Sequence, residues 1–316
     1  MKPPIDRAWC GMTGLPLVLE NVSKSFGPTR AVDNLSLALR AGSVCGLLGP
    51  NGSGKTTTIR MIMGILLPDS GDLRLWGAPA EGAVRKHVGY LPEERGLYAT
   101  MTVFDHLIFF AELHDLSRRD AKDAVAEWSE RFATNGESSP KSWWGRRVQE
   151  LSKGQQQTVQ LIGTLLHRPG LVILDEPFSG LDPVHTGHLR TIIRYLKESG
   201  VAVLLSTHRM EQAERLCDDI CLVHHGKAVL SGALREVKSA STSRLVELRM
   251  DRVPDFLEPD DMIADVEIVS NGARIRLREG ADAQMVLDRA IRRGRVLKFE
   301  IVEPSLDDLF IEAVSR

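Results

Sequence analysis

Gly49-Pro50-Asn51-Gly52-Ser53-Gly54-Lys55-Thr56-Thr57 is the stretch on which the fold turns. It fits a phosphate-binding loop: glycine, four free positions, then Gly-Lys-Thr. The glycines let the backbone curl so that its N–H groups point inward at a phosphate. Lys55 is placed to reach the β- and γ-phosphates, and the Thr56 hydroxyl to complete a Mg²⁺ shell. The flanks agree. Ser43–Leu48 is a short apolar run that reads as a buried strand, and Thr57–Met63 reads as the start of a helix. A bound phosphate then sits on a helix N-terminus, where the dipole favours anions. The competing reading is a glycine-rich turn that matches by chance. The strand before the loop and the helix after it argue against that.

Upstream, Leu15–Glu20 reads as a first strand, Phe26-Gly27 follows, and Ala31–Leu39 alternates like a half-buried strand. Downstream, the helix is expected to stop near Leu66-Leu67-Pro68, and Leu73–Gly77 is a short strand. His87–Pro92 is another strand and leads into Glu93. Thr102 is placed to cap a helix carrying Val103, Phe104, Leu107, Ile108 and Phe110. A second helix covers Ser117–Phe132, and Thr134–Pro140 reads as an exposed loop. Leu151–Gln157 opens a helix to His167. Leu171–Leu174 is a continuous apolar strand, of the kind buried on both faces of a parallel sheet. A helix over His185–Ser199 leads to the strand Val201–Leu205, and a hairpin centres on His225-Gly226-Lys227.

Near Ser239 the character changes. Residues 237–243 read as a linker, and 244–316 as a small α+β domain. Its strands are expected at Leu245–Met250, Val266–Val269, Ala273–Leu277 and Val296–Val302, and its helices at Ala283–Arg292 and Leu306–Val314.

Composition narrows the class. The 316 residues exceed one typical domain, and 43% hydrophobic content supports a substantial core. A formal charge of -2 without charge blocks argues against a broad nucleic-acid surface. Four cysteines (Cys10, Cys45, Cys217, Cys221) give no disulfide framework, so a reduced, cytoplasmic setting is expected. Residues 1–14 read as a mobile tail, with Met12 as an alternative start. No apolar run reaches the roughly 18 residues of a membrane helix. Work at a membrane therefore requires another chain to supply the span.

Asp175-Glu176 end the apolar strand Leu171–Leu174, where sites lie in parallel α/β sheets. Asp175 is suited to hold Mg²⁺, and Glu176 to polarise the water that attacks the γ-phosphate. His208, after Ser206-Thr207 at another strand end, can donate to the γ-phosphate.

This order of motifs resembles the ATPase subunits of ABC transporters over roughly Leu17–Gly232. The resemblance covers the Walker A loop (Gly49–Thr57), the signature Leu151-Ser152-Lys153-Gly154-Gln155, the Walker B strand with Glu176, the D-loop Ser179-Gly180-Leu181-Asp182 and the switch His208. The fold it implies is α/β, a P-loop NTPase of the ABC type over 15–236, with a helical subdomain inserted at about 93–165. It further implies two copies, or this chain and a paralogue, sandwiching two ATP molecules head to tail. Ser152, Gly154 and Gln155 of one chain, with Asp182, then meet the nucleotide bound by the other. Phe26 takes the place of the adenine platform.

Three positions depart from the family pattern: Glu93 where glutamine is usual, Lys153 where glycine is commoner, and Phe26 for tyrosine. Glu93 can still approach Mg²⁺ and the water. Tyr90–Tyr98 and Val302–Phe310 look like the branch of bacterial sodium-extrusion and drug exporters. That branch implies a polytopic permease partner docked against the outer face from Glu93 into the following helices. The protein is then peripheral on the cytoplasmic face, and no nucleic acid is expected. The rival reading is a non-transport ABC clamp on DNA or the ribosome; one ATPase domain, no heptads and no basic balance rank it behind. A plain nucleotide-binding regulator conflicts with the Asp175-Glu176 pair. Cys217, Cys221, His224 and His225 read as buried thiols and turn histidines rather than a zinc site, and Trp143-Trp144 as anchors.

Overall fold

The computed structural model describes residues 14–94, 96–133, 139–240, 244–278 and 280–315. The expected tail over 1–13, the alternative start at Met12, most of the loop at 134–138 and the linker residues 241–243 lie outside the described residues. The chain divides into two compact units, Met1–Gly232 and Ala233–Arg316.

The first unit runs β1 (Leu17–Phe26), β2 (Thr29–Leu39), β3 (Val44–Leu48), α1 (Lys55–Ile62), β4 (Ser70–Leu75), β5 (Ala78–Pro79), β6 (Val88–Leu91), α2 (Val103–Leu113), α3 (Arg118–Arg131), α4 (Lys153–Leu165), β7 (Leu171–Asp175), α5 (Pro183–Glu198), β8 (Ala202–Thr207), α6 (Met210–Leu216), β9 (Asp219–His224) and β10 (Lys227–Ala233). Two sheets form. One is antiparallel in the order β2-β1-β4-β5; the other has the order β10-β9-β3-β8-β7-β6. In the second sheet β9, β3, β8, β7 and β6 run parallel.

Every residue of β3, β7 and β8 is buried. That is the continuous apolar pattern of strands covered on both faces. Leu17, Leu35, Leu47, Ile59, Ile62, Ile173 and Leu204 share one core. The parallel register sets Leu48 beside Thr207, and Asp175 beside Ser206. The chain therefore leaves β3, β8 and β7 along one sheet edge, and the loops that follow them converge there.

Three readings change. Helix α1 ends at Ile62, before Leu66-Leu67-Pro68. Gly64 takes a left-handed φ of 69°, and the Ile65 and Leu66 N–H groups donate back to Arg60 O. A glycine C-terminal stop has replaced the proline stop. Pro140, read as part of an exposed loop, is buried and opens a 3₁₀ turn capped by Ser139. Residues 237–239, read as linker, complete α7 (Leu234–Ser239).

The second unit continues with β11 (Arg244–Met250), β12 (Ile263–Val269), β13 (Gly272–Leu277), α8 (Ala283–Arg293), β14 (Val296–Val302) and α9 (Leu306–Ser315). Its sheet is antiparallel in the order β12-β13-β11-β14. Val246, Leu248, Met250, Ile275, Val286 and Ala290 form its core. Asp308 of α9 accepts from Arg274 at 2.7 Å. No described helix is long and apolar enough to cross a membrane.

Candidate nucleotide site

The phosphate loop is shaped by its glycines. Gly49, Gly52 and Gly54 have φ of 146°, 77° and 112°. A methyl on Gly49 would run into the Val223 carbonyl, and one on Gly54 into the Ala31 carbonyl. Only glycine meets both demands. The Gly54 N-cap of α1 brings no side-chain hydrogen bond, so the helix N-terminus is left without a side-chain cap.

Lys55 is buried. Its Nζ donates to Gly49 O at 2.7 Å and Pro50 O at 3.1 Å, and lies 3.9 Å from Glu176 Oε1. Burial lowers its pKa, while Glu176, Asp175 and Glu93 pull the other way. A cleft of about 280 Å³ is lined by Ala31, Asn51, Gly52, Gly54–Thr57, Glu93 and Glu176.

Asp175 and Glu176 are buried at the end of β7. Burial raises the Asp175 pKa, and its Oδ1 has no hydrogen-bond partner. Ser53 Oγ is buried and unpartnered, while Ser206, opposite Asp175 in the β7–β8 register, lies close enough to lower the Asp175 pKa in part. Buried polar atoms are normally paired. An unspent hydroxyl in the phosphate loop and an unspent carboxylate oxygen at the end of β7 fit a polar ligand, and the carboxylate fits a hard cation.

Glu176 holds φ at +46°, an uncommon state for a side chain other than glycine. Its N–H donates to Ser206 O at 2.9 Å. Its Oε2 accepts from the Thr207 hydroxyl at 3.1 Å, and its Oε1 from the His208 N–H at 2.9 Å. His208 Nδ1 stands 2.8 Å from the same Oε1. These contacts fix the carboxylate's direction. The sequence reading singled out His208 and passed over Ser206 and Thr207, which anchor Glu176; the polar pair ending an apolar strand was the available signal. Glu93 is exposed and reaches both this cleft and a neighbouring cavity of about 500 Å³ lined by Lys153, Asp175 and Glu176.

Ser152, Gly154, Gln155 and Asp182 do not line the phosphate cleft. Ser152 caps α4: its Oγ accepts from Gln155 N at 3.2 Å, and Gln155 Oε1 accepts from Ser152 N at 3.0 Å. Gln155 thus spends its side-chain oxygen inside the helix end. Gly154 is buried against His185; a methyl there would sit 2.7 Å from the imidazole. His185 Nδ1 lies 2.6 Å from Asp182 Oδ2, and Asp182 caps α5. His185 is a second residue that the sequence reading passed over, because only the fold sets α5 beside the start of α4. Phe26, 48% exposed at the end of β1, has Lys24 Nζ 5.9 Å from its ring centroid.

Trp143 is buried, and Trp144 donates to Ser129 Oγ at 3.3 Å while packing on Phe104. Cys45, Cys217 and Cys221 are free and buried, and the described residues contain no cluster of three or more His, Cys, Asp or Glu side chains placed to share a metal.

A phosphate loop after β3 at the carboxyl edge of a parallel sheet, with paired acids at the end of β7 one strand removed across β8, defines a P-loop nucleotide hydrolase. The chain belongs to the ABC transporter family, as an ATP-binding subunit that hydrolyses ATP. The ABC transporter family model matches residues 32–179, and the model for the C-terminal domain of DrrA1-3-like ATP-binding proteins matches 232–314. The uncharacterized ABC transporter ATP-binding protein YhaQ of Bacillus subtilis (strain 168) is 40% identical over 298 residues, 94% of this chain and 98% of that one. The Nod factor export ATP-binding protein I of Rhizobium sp. (strain N33) is 35% identical, over 96% of this chain and 99% of its own. A solved ATP-binding subunit of an ABC transporter superposes with a TM-score of 0.64 at 29% identity, over 72% of this chain and 92% of that one.

Proposed function

We propose that this chain powers export through a separate membrane-spanning partner by ATP-driven closure and opening of a pair of ATPase units. Support comes from the split between the two halves of the site. The phosphate cleft holds Lys55, Thr56, Glu93 and Glu176, whereas Ser152, Gly154, Gln155 and Asp182 stand outside it. A second ATPase unit can supply them to the exposed side of a bound nucleotide.

In this reading Gly49–Thr57 wrap the phosphates, and Lys55 gives up its carbonyl contacts for the β- and γ-phosphates. Phe26 stacks on adenine. Thr56 and Asp175, with Glu93, are the residues that hold Mg²⁺, which when bound neutralises charge developing on the phosphate oxygens. Glu176 polarises the attacking water, and Thr207 and His208 hold its carboxylate in direction. With Nδ1–H donated to Glu176, His208 donates to the γ-phosphate through Nε2 only in its imidazolium form. Ser152 accepts from Gln155 N, which leaves its O–H to donate across the pair. Hydrolysis removes the γ-phosphate and with it the contacts that close the pair.

The export role is carried over from relatives that are themselves named for Nod factor export and for linearmycin resistance. The permease meets the outer face from Glu93 into α2 and α3, on the cytoplasmic side. Gentle affinity isolation of the tagged protein from native membranes, with mass spectrometry of the chains recovered, tests the proposal. A polytopic membrane protein in about equal amount is the expected result; ribosomes or DNA-bound factors in its place would overturn it.

A further inference from the structure

The sheet of the second unit ends on an open strand. β14 is last in the order β12-β13-β11-β14 and pairs only with β11 among the described strands. Leu297 and Ile301 are 54% and 57% exposed, and Lys298 and Glu300 are exposed between them. Such an edge presents unpaired N–H and C=O groups to any strand that fits it.

The charges of β14 are poorly matched to the strand it already has. In the β11–β14 register Glu247 stands opposite Glu300, and Arg249 opposite Lys298. Like charges directly opposite one another are destabilising. Lys298 relieves this on the diagonal, with Nζ 2.7 Å from both Glu247 and Glu300.

The same strand is well matched to itself. When two copies pair antiparallel about a two-fold axis, facing residues must share a sheet face, so the axis passes through a residue position. An axis at Phe299 sets Lys298 opposite Glu300 twice, while Leu297 falls at the bulge outside the regular run. Moving it to Lys298 or Glu300 sets lysine on lysine or glutamate on glutamate. The bulge between the Arg249 and Met250 rungs leaves Lys298–Val302 as the regular run, which contains the central pairs. The other edge behaves differently. Exposed Asp265 and Glu267 on β12 are both acids and repel a second copy centred on Val266.

We infer that β14 pairs with the β14 of a second copy of this chain, antiparallel about Phe299, to join the two sheets into one. The pairing is independent of nucleotide. It raises the effective concentration of one ATPase unit for the other.

Sedimentation equilibrium of the full-length protein without nucleotide tests this. Wild type is expected to dimerise. Lys298→Glu and Glu300→Lys should each raise the dissociation constant about tenfold or more, and Lys298→Glu with Glu300→Lys in one chain should restore it. Each single reversal puts opposite charges on one rung with β11, although Lys298→Glu gives up the contacts to Glu247 and Glu300; urea unfolding of each variant separates a lost dimer from a lost fold. A wild type that stays monomeric up to about 100 μM, single reversals without effect, or a double reversal that fails to restore association overturns the inference. ATP-dependent closure of Glu176→Gln is a separate measurement, so the function proposed above stands or falls on its own.

Discussion

The phosphate loop and the signature segment each lead into a helix, yet their N-termini are finished in opposite ways. Helix α1 starts at Gly54 with no side-chain cap, beside the unpartnered Ser53 hydroxyl and Asp175 Oδ1. Helix α4 starts at Ser152 with a complete capping box and with Gly154 pressed on His185. The first end has donors and lone pairs waiting for a ligand. The second is satisfied internally and rigid, and still carries an O–H to offer. A binding half needs unspent polar groups; a half that closes on an already bound nucleotide needs a fixed shape. The contrast explains how one chain can hold both halves without using them on the same molecule.

The strongest way to break the comparison is to disable the loop side's chemistry alone. Glu176→Gln should cut phosphate release by about 10²–10⁴-fold while ATP binding persists, and should accumulate an ATP-bound pair. Normal turnover would remove Glu176 from the role of base.

The signature side is broken by shape rather than charge. In Gly154→Ala the added methyl meets the His185 ring at 2.7 Å. Turnover should fall at least about tenfold, because displacements of this size misplace reacting groups. Binding of ATP to the single chain should not change. Adding His185→Ala should recover part of the loss; if it does not, the collision lies elsewhere.

A smaller effect separates capping from contact. Ser152→Ala removes the α4 cap at a cost of about 1 kcal/mol. Ser152→Asp keeps the cap acceptor but opposes a phosphate. Ser152→Asp should therefore hydrolyse more slowly than Ser152→Ala; hydrolysis in Ser152→Asp at the wild-type rate, above that of Ser152→Ala, would mean that Ser152 serves only the helix.

The smallest effect lies in the helical region. His106 of α2 is buried beside Phe110 and Tyr98, and burial pushes its pKa down to about 4. The unfolded chain binds a proton there from about pH 6.5 downward, and the folded chain does not until about pH 4. Stability should therefore fall as pH drops through that window. Urea midpoints at pH 7 and pH 5 should differ less in His106→Gln than in wild type; equal differences would remove His106 as a source of the effect.

The sequence carried the nucleotide site further than it carried the boundaries. Gly49–Thr57, Asp175-Glu176 and the runs of β3 and β7 are local patterns, since a loop conformation or a doubly buried strand constrains its own residues. The end of α1 was misread because Gly64 and Pro68 both signal a stop, and the left-handed glycine acts first along the chain. Pro140 was misread because its burial depends on α3 and the 3₁₀ turn packing together, which no local polarity reports.

By itself the sequence determined a phosphate loop, the acids that face it and a second small domain, because each is written in consecutive residues whose backbone or burial admits few alternatives. Only the tertiary structure decided that Thr207 and His208 hold Glu176, that His185 backs Gly154, and that β14 is an open edge opposed by like charges. Those pairings join residues at least 31 positions apart along the chain, and register between separate elements, rather than any local pattern, sets which of them meet.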